Sequence, residues 1–175
     1  MTDIEVPTDD IQSESDRRAG LVISILAVFL ALVAALGNKA DNDEIVSRVN
    51  ASNTWSYFQA KRNRSFQLEL NQDLLKALGP KNPATAELQK KYEETALRYK
   101  SEGDEITAKA KAYEKEADQA ERQGNGFDIA EVLLQVALVL CSVTILSKNP
   151  MFLRGGLLFA TGAIAVFLYA LVFLA

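Results

Sequence analysis

Residues 19–36 form a run of 18 residues without a charged side chain. At 1.5 Å per residue such a run makes a helix of about 27 Å, close to the thickness of a bilayer's hydrocarbon core. A backbone in that environment must satisfy its own polar groups, which a helix does. Two further apolar stretches occupy residues 127–146 and 155–175. Together the three predict an all-α integral membrane protein with three transmembrane helices. The mean hydropathy of the chain is near zero only because an acidic tail and a polar middle offset these stretches.

A cleavable signal would carry a short basic lead and a shorter apolar core. Here the preceding 18 residues hold six acids and only Arg17 and Arg18 as bases. A retained membrane helix therefore fits better, although Ala34-Ala35-Leu36-Gly37 has the small residues of a cleavage site. Residues 1–18 are expected to be a disordered acidic tail, and the first membrane helix to cover 19–37.

The second and third membrane helices are expected at 127–147 and 152–175. Lys148, Asn149, Pro150 and Arg154 separate them, and Pro150 stops one helix before the next begins. Short flanks rich in lysine and arginine stay in the cytoplasm. Arg17 and Arg18 before the first helix, and Lys148 and Arg154 between the other two, lie on one side after three crossings. The N-terminus and the 147–154 loop are therefore expected to be cytoplasmic. Residues 38–126 would lie on the opposite, periplasmic or extracytoplasmic side.

That middle region contains 15 basic and 15 acidic residues. Its strong breaker is Gly79-Pro80-Lys81-Asn82-Pro83. Gly79 suits the position after a helix, Asn82 suits an N-cap, and Pro83 suits the first helical turn. A long antiparallel coiled-coil hairpin turning at 79–83 follows, with arms of about 40 residues, or about 60 Å each. On the second arm Leu88, Tyr92, Ala96, Tyr99, Gly103, Ile106, Ala110, Tyr113, Ala117 and Ala120 recur at steps of three or four, a heptad seam. Folding the arms about the turn pairs residues whose numbers sum to about 162. Leu74 then faces Leu88, Leu70 faces Tyr92, Phe66 faces Ala96, Phe58 faces Gly103, Val49 faces Tyr113 and Ile45 faces Ala117. Acid–base pairs four residues apart, such as Glu94 with Arg98, mark solvated helix faces.

Composition narrows the chemistry. The chain has no histidine and a net charge of −4, so it lacks the commonest general base and metal ligand and gives no basic surface for nucleic acid. Cys141 is the only cysteine; it lies in an apolar run and is expected to pack as a small hydrophobe. No nucleophile–base pair, phosphate loop or metal spacing is present, so neither an enzyme nor a cofactor-binding protein is expected.

The most distinctive stretch is Asn50-Ala51-Ser52-Asn53-Thr54-Trp55-Ser56-Tyr57-Phe58-Gln59-Ala60-Lys61. It resembles the signature of a bacterial family of uncharacterised membrane proteins, domain of unknown function number 4337. Members of that family have one helix, a polar helical middle with this stretch, and two closing helices. The resemblance covers nearly the whole chain after the acidic tail and implies a bacterial inner-membrane location, but it brings no activity with it. Trp55 and Phe58 read first as hairpin core. Asn53, Trp55, Tyr57, Gln59 and Lys61 are the candidate partner-binding residues. The sequons at Asn50 and Asn63 are short enough to occur by chance.

In the second membrane helix Asp128, Glu131 and Gln135 form a candidate polar seam, with Ser142 on the same face. Ionisable groups in a membrane segment point to function by default; here the first two also lie near the interface and complement the helix N-terminus. Ala27, Ala31 and Ala35, and likewise Gly156 and Ala160, have the spacing that permits close helix contacts within or between monomers. The expected function is a non-enzymatic membrane scaffold or assembly protein, presenting its hairpin for self-association or to a membrane-protein partner. The alternative is an oligomeric channel or transport accessory subunit built on the polar seam.

Overall fold

A computed structural model describes residues 8–78 and 83–174. The chain forms three helices, α1 (Thr8–Leu78), α2 (Pro83–Ser147) and α3 (Pro150–Phe173); among the described residues there are no strands. Helix α1 has no proline after its start and α2 none after Pro83, so neither meets the residue that most strongly ends a helix. Residues 8–18, expected to be disordered, belong to α1. Gly79, Pro80 and Asn82, the expected turn residues, lie outside the described residues.

The break between α2 and α3 is the one the sequence announces. Lys148 takes a positive φ of 56°, the left-handed conformation that closes a helix, and its amide bonds to the Thr144 carbonyl at 2.9 Å. Asn149 then caps α3: its Oδ1 accepts from the Met151 amide at 3.0 Å. Pro150 occupies the first helical turn, where a missing N–H costs nothing.

The chain divides into two compact units, one of them Glu44–Asp118 and the other formed by the segments on either side. The flanking segments make a three-helix unit. Its core runs through Leu26, Val33, Phe127, Leu134, Cys141, Ala163 and Phe167. Phe167 meets Phe29 edge-on, with centroids 5.3 Å apart, and Phe127 at 5.6 Å. Cys141 is fully buried in this core, as its apolar surroundings predict. Small residues bring α2 and α3 together: a Cβ at Gly156 would lie 2.6 Å from Cys141 Sγ, and one at Gly126 2.6 Å from Ala170 Cβ. The spacing Gly156–Ala160 thus serves contact within the chain, whereas Ala27, Ala31 and Ala35 are exposed. The outer surface of this unit is apolar: Leu21, Ile25, Val28, Val132, Val139, Leu158 and Val172 all face outward. All three helices are long and apolar enough to span a membrane.

In the Glu44–Asp118 unit, parts of α1 and α2 pack antiparallel. Phe58 lies over Gly103, whose added Cβ would sit 3.4 Å from the ring, the pairing expected from the sequence. The α2 seam follows the expected residues from Tyr92 to Ala117, with Leu88 exposed. The α1 seam differs. Ile45, Val49, Phe66, Leu70 and Leu74 were all expected to face α2, and all five are exposed. The residues turned inward include Ser47, Asn50, Ala51, Thr54, Trp55, Phe58, Lys61, Ser65, Leu68, Gln72 and Leu75. The reason is rotational. With Phe58 fixed over Gly103, steps of three and four from it select the observed set. At the 3.5 residues per turn of a helix wound along a neighbour, Phe66, Leu70 and Leu74 lie about 100°, 150° and 150° around from Phe58, whereas Leu68 and Leu75 lie only about 50° from it.

Candidate functional site

The Asn50–Lys61 stretch is one continuous piece of α1, so helical phase alone decides where its side chains go. Trp55 and Phe58, three apart, turn toward α2 and meet edge to face at 5.7 Å. The Trp55 indole donates to Glu114 Oε1 at 2.8 Å, which satisfies the ring's one donor. Lys61, one turn beyond Phe58, forms an ion pair with Glu102. Its ammonium also lies 5.1 Å from the Tyr57 ring centre and 5.6 Å from that of Tyr99, within cation–π range. Glu102 Oε2 is buried, and Lys61 is the cation that faces it.

Asn53, Trp55, Tyr57, Gln59 and Lys61 therefore do not form one surface. Gln59 shares a shallow recess with Trp55, Arg48 and Glu114. Asn53 and Tyr57 line another with Ile106, Lys109 and Tyr113. Lys61 sits in the seam, 15 % exposed. Trp55, Phe58 and Lys61 hold the two helices together, while Asn53, Tyr57 and Gln59 remain at the surface.

A groove of about 400 Å³ runs along one flank of this pair, with Phe58, Ser65, Ala96, Tyr99 and Gly103 among its lining. Arg62, Glu69, Glu93, Lys100 and Asp104 also line it, so both signs of charge are represented. Sequence reasoning missed Glu102 and Glu114, the α2 partners of the stretch. Each adjoins a seam residue, Gly103 and Tyr113, and that adjacency was the available signal. Arg98, expected to pair with Glu94, lies 3.8 Å from Glu102.

The second candidate lies on the three-helix unit. Asp128 and Gln135 are exposed and Glu131 is half-buried. Asp128 flanks Gly37, where an added Cβ would stand 3.7 Å from its carboxylate. Gln135 Nε2 donates to Glu131 Oε1 at 3.0 Å, and the Ser142 hydroxyl donates to the Leu138 carbonyl at 2.8 Å. The seam is thus a lateral stripe on the unit and does not line an internal channel of one chain. Among the described residues, no group of three or more cysteine or carboxylate side chains could hold a metal.

An all-helical chain with three bilayer-length apolar segments, and a separate polar helix pair carrying the Asn-Thr-Trp stretch, defines a class of helical proteins suited to membranes. The model of the family described as Domain of unknown function (DUF4337) matches residues 15–173, and the chain belongs to that family. No curated protein and no solved structure matches it.

Proposed function

We propose that this chain is a non-enzymatic, multi-pass membrane protein that displays a coiled-coil hairpin outside the bilayer for self-association or partner binding. The contrast between its two units carries the reading. The three-helix unit turns apolar side chains outward, which suits lipid. The Glu44–Asp118 unit is laced with ion pairs, which suits water. On that second unit α1 leaves Ile45, Val46 and Val49, and farther along Phe66, Leu70 and Leu74, exposed. Apolar side chains exposed at steps of four, as Phe66, Leu70 and Leu74 are, share one helix face and suit an interaction surface. Asn53, Tyr57 and Gln59 add hydrogen-bonding groups beside it.

In this reading the N-terminus and the Lys148–Asn149 link are cytoplasmic, in the inner membrane of a bacterium, and the hairpin lies across the membrane. Cysteine labelling at Ser101 in a Cys141→Ser background tests the orientation. An impermeant maleimide should label intact spheroplasts. Labelling only after lysis overturns the orientation. Recovery of the chain in the soluble fraction after alkaline extraction overturns the membrane reading itself.

A second reading, a channel or transport accessory subunit, draws on the lateral stripe of Asp128, Glu131 and Gln135. Several copies could bring such stripes together around a polar path. Conductance of the reconstituted protein that falls on Glu131→Gln would favour it, and absence of any conductance would leave the scaffold reading alone.

A further inference from the structure

Glu131, Gln135, Leu138 and Ser142 recur on α2 at steps of four, three and four, within about 60° of one another. Ser142 satisfies its hydroxyl on its own helix. Gln135 does not satisfy its amide so fully. One proton goes to Glu131, while a primary carboxamide offers two donors and a carbonyl acceptor. The residue is exposed, so the rest of that capacity faces outward from the bundle.

Depth makes this matter. Counted from Phe127, Gln135 lies about 12 Å along a helix at 1.5 Å per residue, near the middle of a hydrocarbon core of about 30 Å. Glu131 lies about 6 Å along, within reach of the interface. Lipid chains offer neither donors nor acceptors, and an unpaired amide there is costly. A second copy of the same chain places the same amide at the same depth. A carboxamide is self-complementary: across a two-fold axis, each can donate to the other's carbonyl oxygen.

We propose that two copies of this chain associate in the bilayer through this flank of α2, with their Gln135 amides exchanging hydrogen bonds and Glu131 orienting each amide from its own helix. The inference rests on the membrane-spanning reading and adds to the hairpin a second self-association surface, within the bilayer.

Full-length chain in phosphatidylcholine vesicles tests it, with donor and acceptor dyes at Ser101→Cys in a Cys141→Ser background. Energy transfer should exceed the random-proximity level at high lipid dilution. Gln135→Leu should weaken association by about five- to fifty-fold, the range for one or two hydrogen bonds between membrane helices. A second arm leaves Gln135 intact: Ser142→Cys should cross-link to its own copy on oxidation, and Ala31→Cys, on the exposed small-residue face of α1, should not. Cross-linking through Ala31→Cys alone overturns the proposal, as does a monomer at every dilution. Association undiminished by Gln135→Leu, with no cross-link at Ser142→Cys, also overturns it but preserves the scaffold reading, since the hairpin would then be the contact. Failure of the chain to remain in vesicles after alkaline extraction overturns both.

Discussion

Gly103 and Gly156 are both helix-interior glycines under a neighbouring helix, and they differ in what surrounds them. A methyl group at Gly103 would meet the Phe58 ring at 3.4 Å, an ordinary contact. At Gly156 it would meet Cys141 Sγ at 2.6 Å and the Ala137 carbonyl oxygen at 2.9 Å. At Gly103 the polar pair is held at ordinary van der Waals distance from an aromatic ring. At Gly156 the α2–α3 contact of the apolar bundle is closed down to backbone. On the proposed membrane-spanning reading, the difference follows from solvent. In water, burying a Phe58 or a Leu68 is itself favourable, so moderately close packing suffices. Among lipid chains that driving force is absent, and association depends on intimate van der Waals contact and hydrogen bonds.

The largest effect that would test this contrast belongs to Gly156→Leu. Backbone lies in the way, so overpacking should reach about 3 kcal/mol, the upper end of its usual range, and should separate α3 from α2. Circular dichroism melting of the full chain in micelles, with trypsin sensitivity near Lys148, reports it. Gly103→Leu should cost less, about 2 kcal/mol, because the Phe58 ring can shift. Lys61→Met comes next, at about 1–2 kcal/mol, since the buried Oε2 of Glu102 loses the cation that faces it, leaving Arg98 beside the other oxygen. The double variant Lys61→Met/Glu102→Leu should recover much of that loss, because a well-packed apolar pair is often as stable as a partly buried ion pair. A double variant no better than Lys61→Met would show that the lysine acts through its Tyr57 and Tyr99 contacts instead. Gly103→Ala should be the smallest change and the only favourable one, a gain of up to about 1 kcal/mol from helix propensity. If Gly156→Ala were equally well tolerated, the contrast between the two units would collapse.

The sequence made some of this legible and hid the rest for definable reasons. Apolar length gave the three membrane-length segments, and Lys148-Asn149-Pro150 gave the one helix break that the structure describes. The small residue at 103 and the ring at 58 gave the antiparallel pairing, because a glycine on an otherwise regular seam calls for a bulky neighbour. Hydrophobicity misled on α1. Ile45, Val49, Phe66, Leu70 and Leu74 look like a core face, yet the seam carries Thr54, Lys61, Ser65 and Gln72. Pattern reading assigns the most apolar face to the inside, and here that face is turned outward while Trp55, Phe58 and Lys61 meet α2. The Asn50–Lys61 stretch is a continuous segment of α1, but its five candidate residues do not share one surface. Residues two apart on a helix diverge by about 200°, so Trp55 and Tyr57 could not share a face.

The burial of Cys141 beneath Gly156 makes the thiol a built-in clock. Its sulfur is covered by the α3 backbone, so a small permeant alkylating reagent can reach it only after α3 lifts from α2. Under conditions where reclosing is faster than alkylation, the modification rate measures the population of the open bundle, as hydrogen exchange does for local unfolding. The protein's one sulfhydryl thus reports, without any engineered label, how often its most tightly packed helices part.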